Sequence, residues 1–148
     1  RRNFQGYTTD ASPTLIGFGA SAIGRLPQGY VQNVAPWADY VRRVNESGLA
    51  VIKGRTLNED DRIRAHVIER LMCDLSFDRD DLHSQFGEGA SAVIREADSL
   101  VLGDNEGILE RTNKGFRISD LGRPFVRTVC ARFDAYLAAS QARHSSGV

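Results

Sequence analysis

The residues best able to do chemistry lie near the start of the chain, in Gly17-Phe18-Gly19-Ala20-Ser21-Ala22. They follow the apolar run Thr14-Leu15-Ile16 and fit the pattern G-x-G-x-x-G/A. In dinucleotide-binding folds such glycines let the backbone approach a pyrophosphate at a helix start. Asp39 stands about 20 residues further on, the spacing at which an acidic side chain would hold a ribose. The flanking sequence opposes that reading. Gly24, Pro27 and Gly29 interrupt the helix the glycines should open, Asp39 falls inside a helical pattern, and no βαβ unit precedes the motif. Two readings stay open: a glycine turn that packs closely on neighbouring backbone, or one that offers backbone to a ligand of another kind.

Elsewhere the reactive side chains are scattered. Arg62, His66 and Arg70 recur at i, i+4 and i+8 and could form an anion site, but they sit opposite the apolar stripe and read as a solvated face. His83 and His144 have no partner at metal-ligand spacing. Glu59-Asp60-Asp61 and Asp78-Arg79-Asp80-Asp81 fall in first helical turns, where the helix dipole favours acids, and require no metal. Cys73 and Cys130 are too few for a disulfide framework and lie outside any C-x-x-C pair. Each sits on an apolar helical stripe and reads as a small buried hydrophobe with an inert thiol. No Ser/His/Asp or Cys/His arrangement emerges, so the residues alone offer no self-sufficient active site.

These residues must be positioned by a chain of 148 residues, 41% hydrophobic, with 14 glycines and no formal net charge. That length can bury a real core without disulfides or metals. No stretch approaches 18 apolar residues, so no membrane span is expected. The start, Arg1-Arg2-Asn3, shows neither an initiator Met nor a signal peptide and reads as a fragment cut from something longer. Charge is unevenly spread. Residues 1–55 carry seven basic and three acidic side chains, and residues 56–139 carry eleven and sixteen. The main boundary is placed at Arg55. The sequence predicts an α+β chain.

The first part, 1–55, reads as short strands, glycine turns and one helix. Phe4 to Thr9 favours a strand, and Asp10-Ala11-Ser12-Pro13 a turn. A helix starting near Pro36 puts Trp37, Tyr40, Val41 and Val44 on one face and stops at Gly48. Val51-Ile52-Lys53 reads as a strand. The second part, 56–139, opens with capping-box spacing at Thr56 to Glu59. A helix follows with Ile63, Val67, Ile68, Leu71, Met72 and Leu75 on one face. A second helix over 79–86 is capped by Asp78, and a third carries Ala92, Val93, Ala97, Leu100 and Val101. A hairpin from Ile108 to Ser119 turns at Asn113-Lys114-Gly115. A last helix, capped by Ser119 or Asp120, carries Leu121, Phe125, Val126, Val129, Cys130, Phe133 and Leu137. Residues 140–148 read as a flexible tail.

Three helices, a hairpin and a helix is a winged-helix order, which raises the question of DNA. The third helix, however, carries Glu88, Glu96 and Asp98 against Arg95, and the whole part is net acidic. Acidic surface repels phosphate, so no nucleic-acid partner is expected. A winged-helix DNA-binding module and a nucleotide-binding piece of another α/β enzyme are the alternatives weighed.

The combination of Arg2-Asn3-Phe4-Gln5-Gly6-Tyr7-Thr8-Thr9 with Gly17-Phe18-Gly19-Ala20-Ser21-Ala22-Ile23 and Tyr30-Val31-Gln32-Asn33 is more specific. It resembles the C-terminal end of oxygen-independent coproporphyrinogen III oxidase, or coproporphyrinogen dehydrogenase. The resemblance returns in Gly107-Ile108-Leu109-Glu110, Gly115-Phe116-Arg117-Ile118-Ser119, Leu121-Gly122-Arg123 and Phe133-Asp134-Ala135-Tyr136-Leu137. It covers nearly the whole chain apart from residues 76–104 and the tail.

The resemblance implies a cytoplasmic radical S-adenosylmethionine enzyme of haem biosynthesis. Its S-adenosylmethionine and [4Fe–4S] cluster would serve the oxidative decarboxylation of two propionates of coproporphyrinogen III to vinyls, giving protoporphyrinogen IX. Residues 1–55 would be the C-terminal edge of the α/β barrel, and 56–139 a winged-helix-like lid that partners the N-terminal barrel of the same chain. A position matching Ile23 lines the S-adenosylmethionine site in the family, and Phe4 and Gln5 border the same region. The family's cluster signature, C-x3-C-x2-C, is absent. Two cysteines cannot supply three thiolates. The resemblance therefore implies no metal ligand and no catalytic residue here, and an isolated fragment without activity.

Overall fold

The computed structural model describes residues 1–3 and 6–137, a mixture of helix and sheet with no closed barrel. The chain divides between Asn58 and Glu59 into two compact units.

In the first unit, β1 (Arg2–Asn3) pairs with β2 (Gly6–Tyr7), with Thr8 N–H bonded to the Arg1 carbonyl at 2.9 Å. The apolar run from Thr14 forms no regular strand. Its one ladder contact is the Leu15–Arg25 bridge. Next come β3 (Ile23–Leu26) and β4 (Gly29–Asn33), an antiparallel hairpin turning at Pro27-Gln28. The residues that interrupt a helix here thus belong to a hairpin, with Gly24 inside β3, Pro27 in the turn and Gly29 at the start of β4. Helix α1 (Trp37–Ser47) ends at Gly48, whose φ of 74° is the left-handed stop expected there. Strand β5 (Val51–Thr56) returns antiparallel to β4, with a bulge at Gln32/Asn33. Little is buried in this unit. Val34 and Ala50 are, joined by a 2.9 Å backbone bond, while α1 buries no side chain and Trp37 is 68% exposed.

The second unit holds the hydrophobic core. Its elements run α2 (Glu59–Asp74), β6 (Ser76–Asp78), α3 (Arg79–Phe86), a 3-10 turn at Gly87–Ala90, α4 (Ser91–Leu102), β7 (Leu109–Arg111), β8 (Gly115–Ile118), a 3-10 turn at Arg123–Phe125 and α5 (Val126–Ala131). The sheet order is β6-β8-β7, all antiparallel. Ile63, Val67 and Leu71 of α2 meet Leu82, Val93, Ala97, Phe116, Val129 and Phe133 in one cluster. The rings of Phe77 and Phe116 stack at 5.3 Å across the β6–β8 pair. The Asp78 carboxylate caps α3, accepting from Asp80 N–H at 2.8 Å and Asp81 N–H at 3.1 Å.

Two expectations are corrected. The last helix is short. Ser119 does not cap it. Its hydroxyl donates to the Gly107 carbonyl at 2.6 Å and accepts from Gly122 N–H at 3.0 Å, so it fixes a turn. Leu121, Phe125 and Leu137 fit the helical stripe but are exposed. Beyond Ala131 the backbone closes i→i+3 bonds instead. Cys130 is buried as expected, and burial pushes its thiol up to about 11, which makes it inert. Cys73 is half-buried. The tail, 140–148, lies outside the described residues.

Ion pairs tie the helices together. Arg64 of α2 holds Glu96 of α4 with two bonds, 2.8 and 2.7 Å, and Arg79 reaches Asp98 at 2.6 Å. The acids of the third helix are thus engaged within the unit. Asp81 and Glu96 are lowered below the usual carboxylate range, chiefly by His66 and Arg64 respectively. Asp104 is lowered chiefly by the Leu109 N–H at 2.6 Å. A carboxylate whose pKa is lower folded than unfolded stabilises at pH values above its unfolded pKa. That stability is lost as pH falls below about 4 through the folded value. The urea midpoint of the second unit should therefore fall between pH 7 and pH 3, and by less in Asp81→Asn. An equal fall in that variant would remove Asp81 from the account.

Candidate functional site

The glycine motif forms an irregular loop in the first unit, and its shape follows from local sterics. A Cβ on Gly17 would lie 2.8 Å from the Ile23 carbonyl oxygen, and one on Gly24 would lie 3.1 Å from that of Leu15. The loop can therefore lie against β3 only because both residues lack side chains. Gly19 has φ +101°, a conformation that favours glycine, while the space around it is open. Ser21 adopts φ 60°, a left-handed conformation that costs a non-glycine residue roughly 1–2 kcal/mol.

Polar side chains hold the loop. Asn33 Nδ2 donates to the Gly17 carbonyl at 3.1 Å and to the Gly19 carbonyl at 2.9 Å. Gly19 N–H donates to the Tyr40 hydroxyl at 3.1 Å. Ser21 N–H bonds the Val34 carbonyl at 2.9 Å, Asn33 N–H bonds the Ala22 carbonyl at 3.0 Å, and Gln32 Nε2 donates to the Ser21 carbonyl at 3.1 Å. Asn33 ends β4 beside the bulge, a device that re-aims a side chain. Tyr40 is carried by α1 and its ring stacks on Trp37 at 5.8 Å.

Ile23 begins β3 directly after the loop, opposite Gln32, and is half-buried. It presents apolar surface beside a backbone fixed by side chains. Phe4 and Gln5, the other two residues the resemblance brings to this region, lie outside the described residues.

The structure disposes of the dinucleotide reading. The loop runs into a strand, so no helix N-terminus faces a phosphate, and Asp39 is ion-paired with Arg42 at 3.0 Å. The i, i+4, i+8 face of α2 also differs from expectation. His66 is part-buried, bonds Asp81 at 2.8 Å and meets the Phe86 ring edge-on at 5.7 Å, while Arg70 pairs with Asp74 at 2.7 Å. It is a set of packing contacts more than a solvated face. Sequence reasoning missed Asn33 and Tyr40 as loop-holding residues. Asn33 stood only inside a motif, and Tyr40 read as part of an apolar helix face.

Comparison with known proteins decides the context. An oxygen-independent coproporphyrinogen III oxidase from Bradyrhizobium diazoefficiens is 43% identical over 148 residues, 100% of this chain and 33% of its own length. The chain matches a C-terminal portion of oxygen-independent coproporphyrinogen III oxidases. The same enzyme from Salmonella typhimurium is 38% identical, covering 92% of this chain and 30% of its own. Coproporphyrinogen III oxidase from Escherichia coli, described as a radical SAM enzyme, superposes with a TM-score of 0.83 at 35% identity. That match covers 92% of this chain and 32% of the oxidase. The chain thus spans about a third of the length of the oxidases it matches. No protein-family model matches it.

Proposed function

We propose that this chain is the C-terminal part of an anaerobic coproporphyrinogen III dehydrogenase, and that its glycine loop and Ile23 border the S-adenosylmethionine site. The observation that carries the reading is a strained, side-chain-pinned glycine loop leading into a half-buried Ile23, within a chain 43% identical to such an oxidase along its whole length. The first unit is assigned to the edge of the catalytic barrel. The second is assigned to a winged-helix-like lid, which its order α2–β6–α3–α4–β7–β8 and its three-stranded antiparallel sheet support. The barrel of the same enzyme is its partner. The site of action is cytoplasmic, and no helix of the described residues is long and apolar enough to cross a membrane.

In the complete enzyme, bound S-adenosylmethionine and a [4Fe–4S] cluster would supply the radical chemistry that converts two propionates of coproporphyrinogen III to vinyls, giving protoporphyrinogen IX. The residues here fit the first group and not the second. Ile23 offers apolar contact to an adenine ring, and the pinned loop fixes the backbone that leads into it. Gln5 can both donate and accept hydrogen bonds, and Phe4 carries an apolar ring. For a cluster, the chain's two cysteines fall short of three thiolates, and the described residues hold no group of three or more His, Cys, Asp or Glu able to bind a metal. Cluster ligands and catalytic residues are assigned outside these 148 residues, and the fragment alone to no activity. Nucleic acid is not assigned as a partner, because residues 56–139 carry an excess of acidic side chains.

Ile23→Asp tests the reading in the full-length enzyme. Burying an unpaired carboxylate against an apolar ligand surface costs several kcal/mol. S-adenosylmethionine should bind at least about tenfold more weakly by calorimetry, equivalent to about 1.4 kcal/mol. Gln5→Ala should cost less, about 0.5–1.5 kcal/mol, one hydrogen bond. Normal affinity combined with a lowered melting temperature would make Ile23 a core residue and withdraw the site.

A further inference from the structure

We propose that Asn33, assisted by Tyr40, is a positioning residue for the cofactor: it sets the shape of the glycine loop that delivers Ile23. This rests on the S-adenosylmethionine reading of Ile23 given above. Three observations lead to it.

The first is that the loop is not held by apolar packing. Phe18 is 87% exposed and Ile16 is 66% exposed, so burial of their side chains cannot define the backbone between them. The second is that the backbone is nevertheless kept in uncommon conformations, at Gly19 and at Ser21. A non-glycine residue in the left-handed region persists only where surrounding contacts over-determine it, and such residues gather at ligand sites. The third is that the contacts that do so converge from two side chains distant in sequence. The Asn33 amide spans the carbonyls on either side of Phe18, and its own N–H bonds the Ala22 carbonyl next to Ile23. The Tyr40 hydroxyl accepts the N–H of Gly19, between those two attachments.

An asparagine suits this position on chemical grounds. Two carbonyls must be satisfied by one group, and a primary amide carries two donors on one nitrogen. Aspartate has the same shape and no donor, so it would set a carboxylate against both carbonyls. Fixing the loop before the ligand arrives removes an ordering cost from binding, and that saving appears as affinity. Asn33 touches no reacting atom in this account. It acts through the loop.

The test uses the full-length enzyme with Asn33→Asp, Tyr40→Phe and Ile23→Asp. S-adenosylmethionine affinity, the two Michaelis constants and melting temperature are measured on each. Amide hydrogen exchange at Gly19, Ser21 and Ile23 is followed in parallel. Asn33→Asp should speed exchange at these amides and weaken S-adenosylmethionine binding about tenfold. The KM for S-adenosylmethionine should rise, while that for coproporphyrinogen stays unchanged. Tyr40→Phe, which removes one acceptor and keeps the ring stack on Trp37, should show the same pattern at about threefold. A purely structural role predicts instead a lower melting temperature and less active enzyme, with both KM values and the affinity unchanged, and that result would overturn the proposal. Unchanged exchange in Asn33→Asp would overturn it as well. If Ile23→Asp weakens binding and neither loop variant does, the positioning role alone fails. If Ile23→Asp also leaves affinity intact, the cofactor reading has failed and takes this role with it.

Discussion

Gly29→Ala should undo the three-stranded sheet of the first unit. Gly29 opens β4 opposite Thr56 of β5, and a Cβ there would be driven into the Arg55 carbonyl. Its φ of +157° adds strain for any other residue. The obstacle is backbone, so no rotamer change relieves it. The strands must part, and with them the β4–β5 ladder. Overpacking alone costs about 1–3 kcal/mol, and lost ladder bonds bring the expected total to about 3 kcal/mol or more. Hydrogen exchange should show the Tyr30 and Leu57 amides losing protection, the first opposite Arg55 in the β4–β5 ladder and the second bonded to the Gln28 carbonyl. Gly103→Ala is the control. Gly103 has a right-handed φ of −88°, and its nearest obstacle to a Cβ is the Ser99 carbonyl oxygen at 3.4 Å. It should change stability by less than about 1 kcal/mol. Equal exchange patterns in the two variants would refute the steric account.

Phe116→Ala should have an effect of similar size in the second unit. Phe116 is 1% exposed, lies in the middle strand of β6-β8-β7 and stacks on Phe77. Truncation leaves a cavity that backbone hydrogen bonds on both sides of β8 prevent from closing. Phe→Ala changes in cores cost about 3–5 kcal/mol. For a domain of this size each 1 kcal/mol moves Tm by roughly 4–8 °C, so a loss of at least about 12 °C is expected by calorimetry. Phe125→Ala, at a side chain 43% exposed, should move it far less. Comparable shifts for the two phenylalanines would mean that the core is not centred on β8.

What the sequence discloses about this fold depends on how far apart the cooperating residues are. Helices α1 to α4 follow from apolar spacing and from Asp78 and Gly48, all signals within one or two turns. The β7–β8 hairpin follows from its Asn113-Lys114-Gly115 turn. Strand β6 escapes because it is three residues long and exists by pairing with β8, some forty positions later in the chain. The β3–β4 hairpin escapes because Gly24, Pro27 and Gly29 count as breakers until it is seen that the first packs under Leu15, the second turns the chain and the third passes against Arg55. The last helix reads longer than it is because Leu121 and Phe125 fit its helical stripe, whereas both side chains are exposed. The glycine motif itself is legible. The side chains that hold it are not, since Asn33 and Tyr40 lie 14 to 21 residues from the glycines they bond, and no periodicity records such contacts.

The uncovered faces of α1 and β5 have a consequence for handling the chain by itself. All six residues of β5 are exposed, it ends the sheet order β3-β4-β5, and Val51 and Ile52 stand there with Trp37, Val41 and Val44 exposed on α1. An exposed apolar edge strand is a template for other chains. Substitutions at these positions would pass unnoticed in a scan of thermal stability, because side chains already in water lose little when truncated. They would register in solubility and in light scattering as concentration rises. A lysine at Ile52 should therefore keep the chain in solution without changing how tightly it is folded.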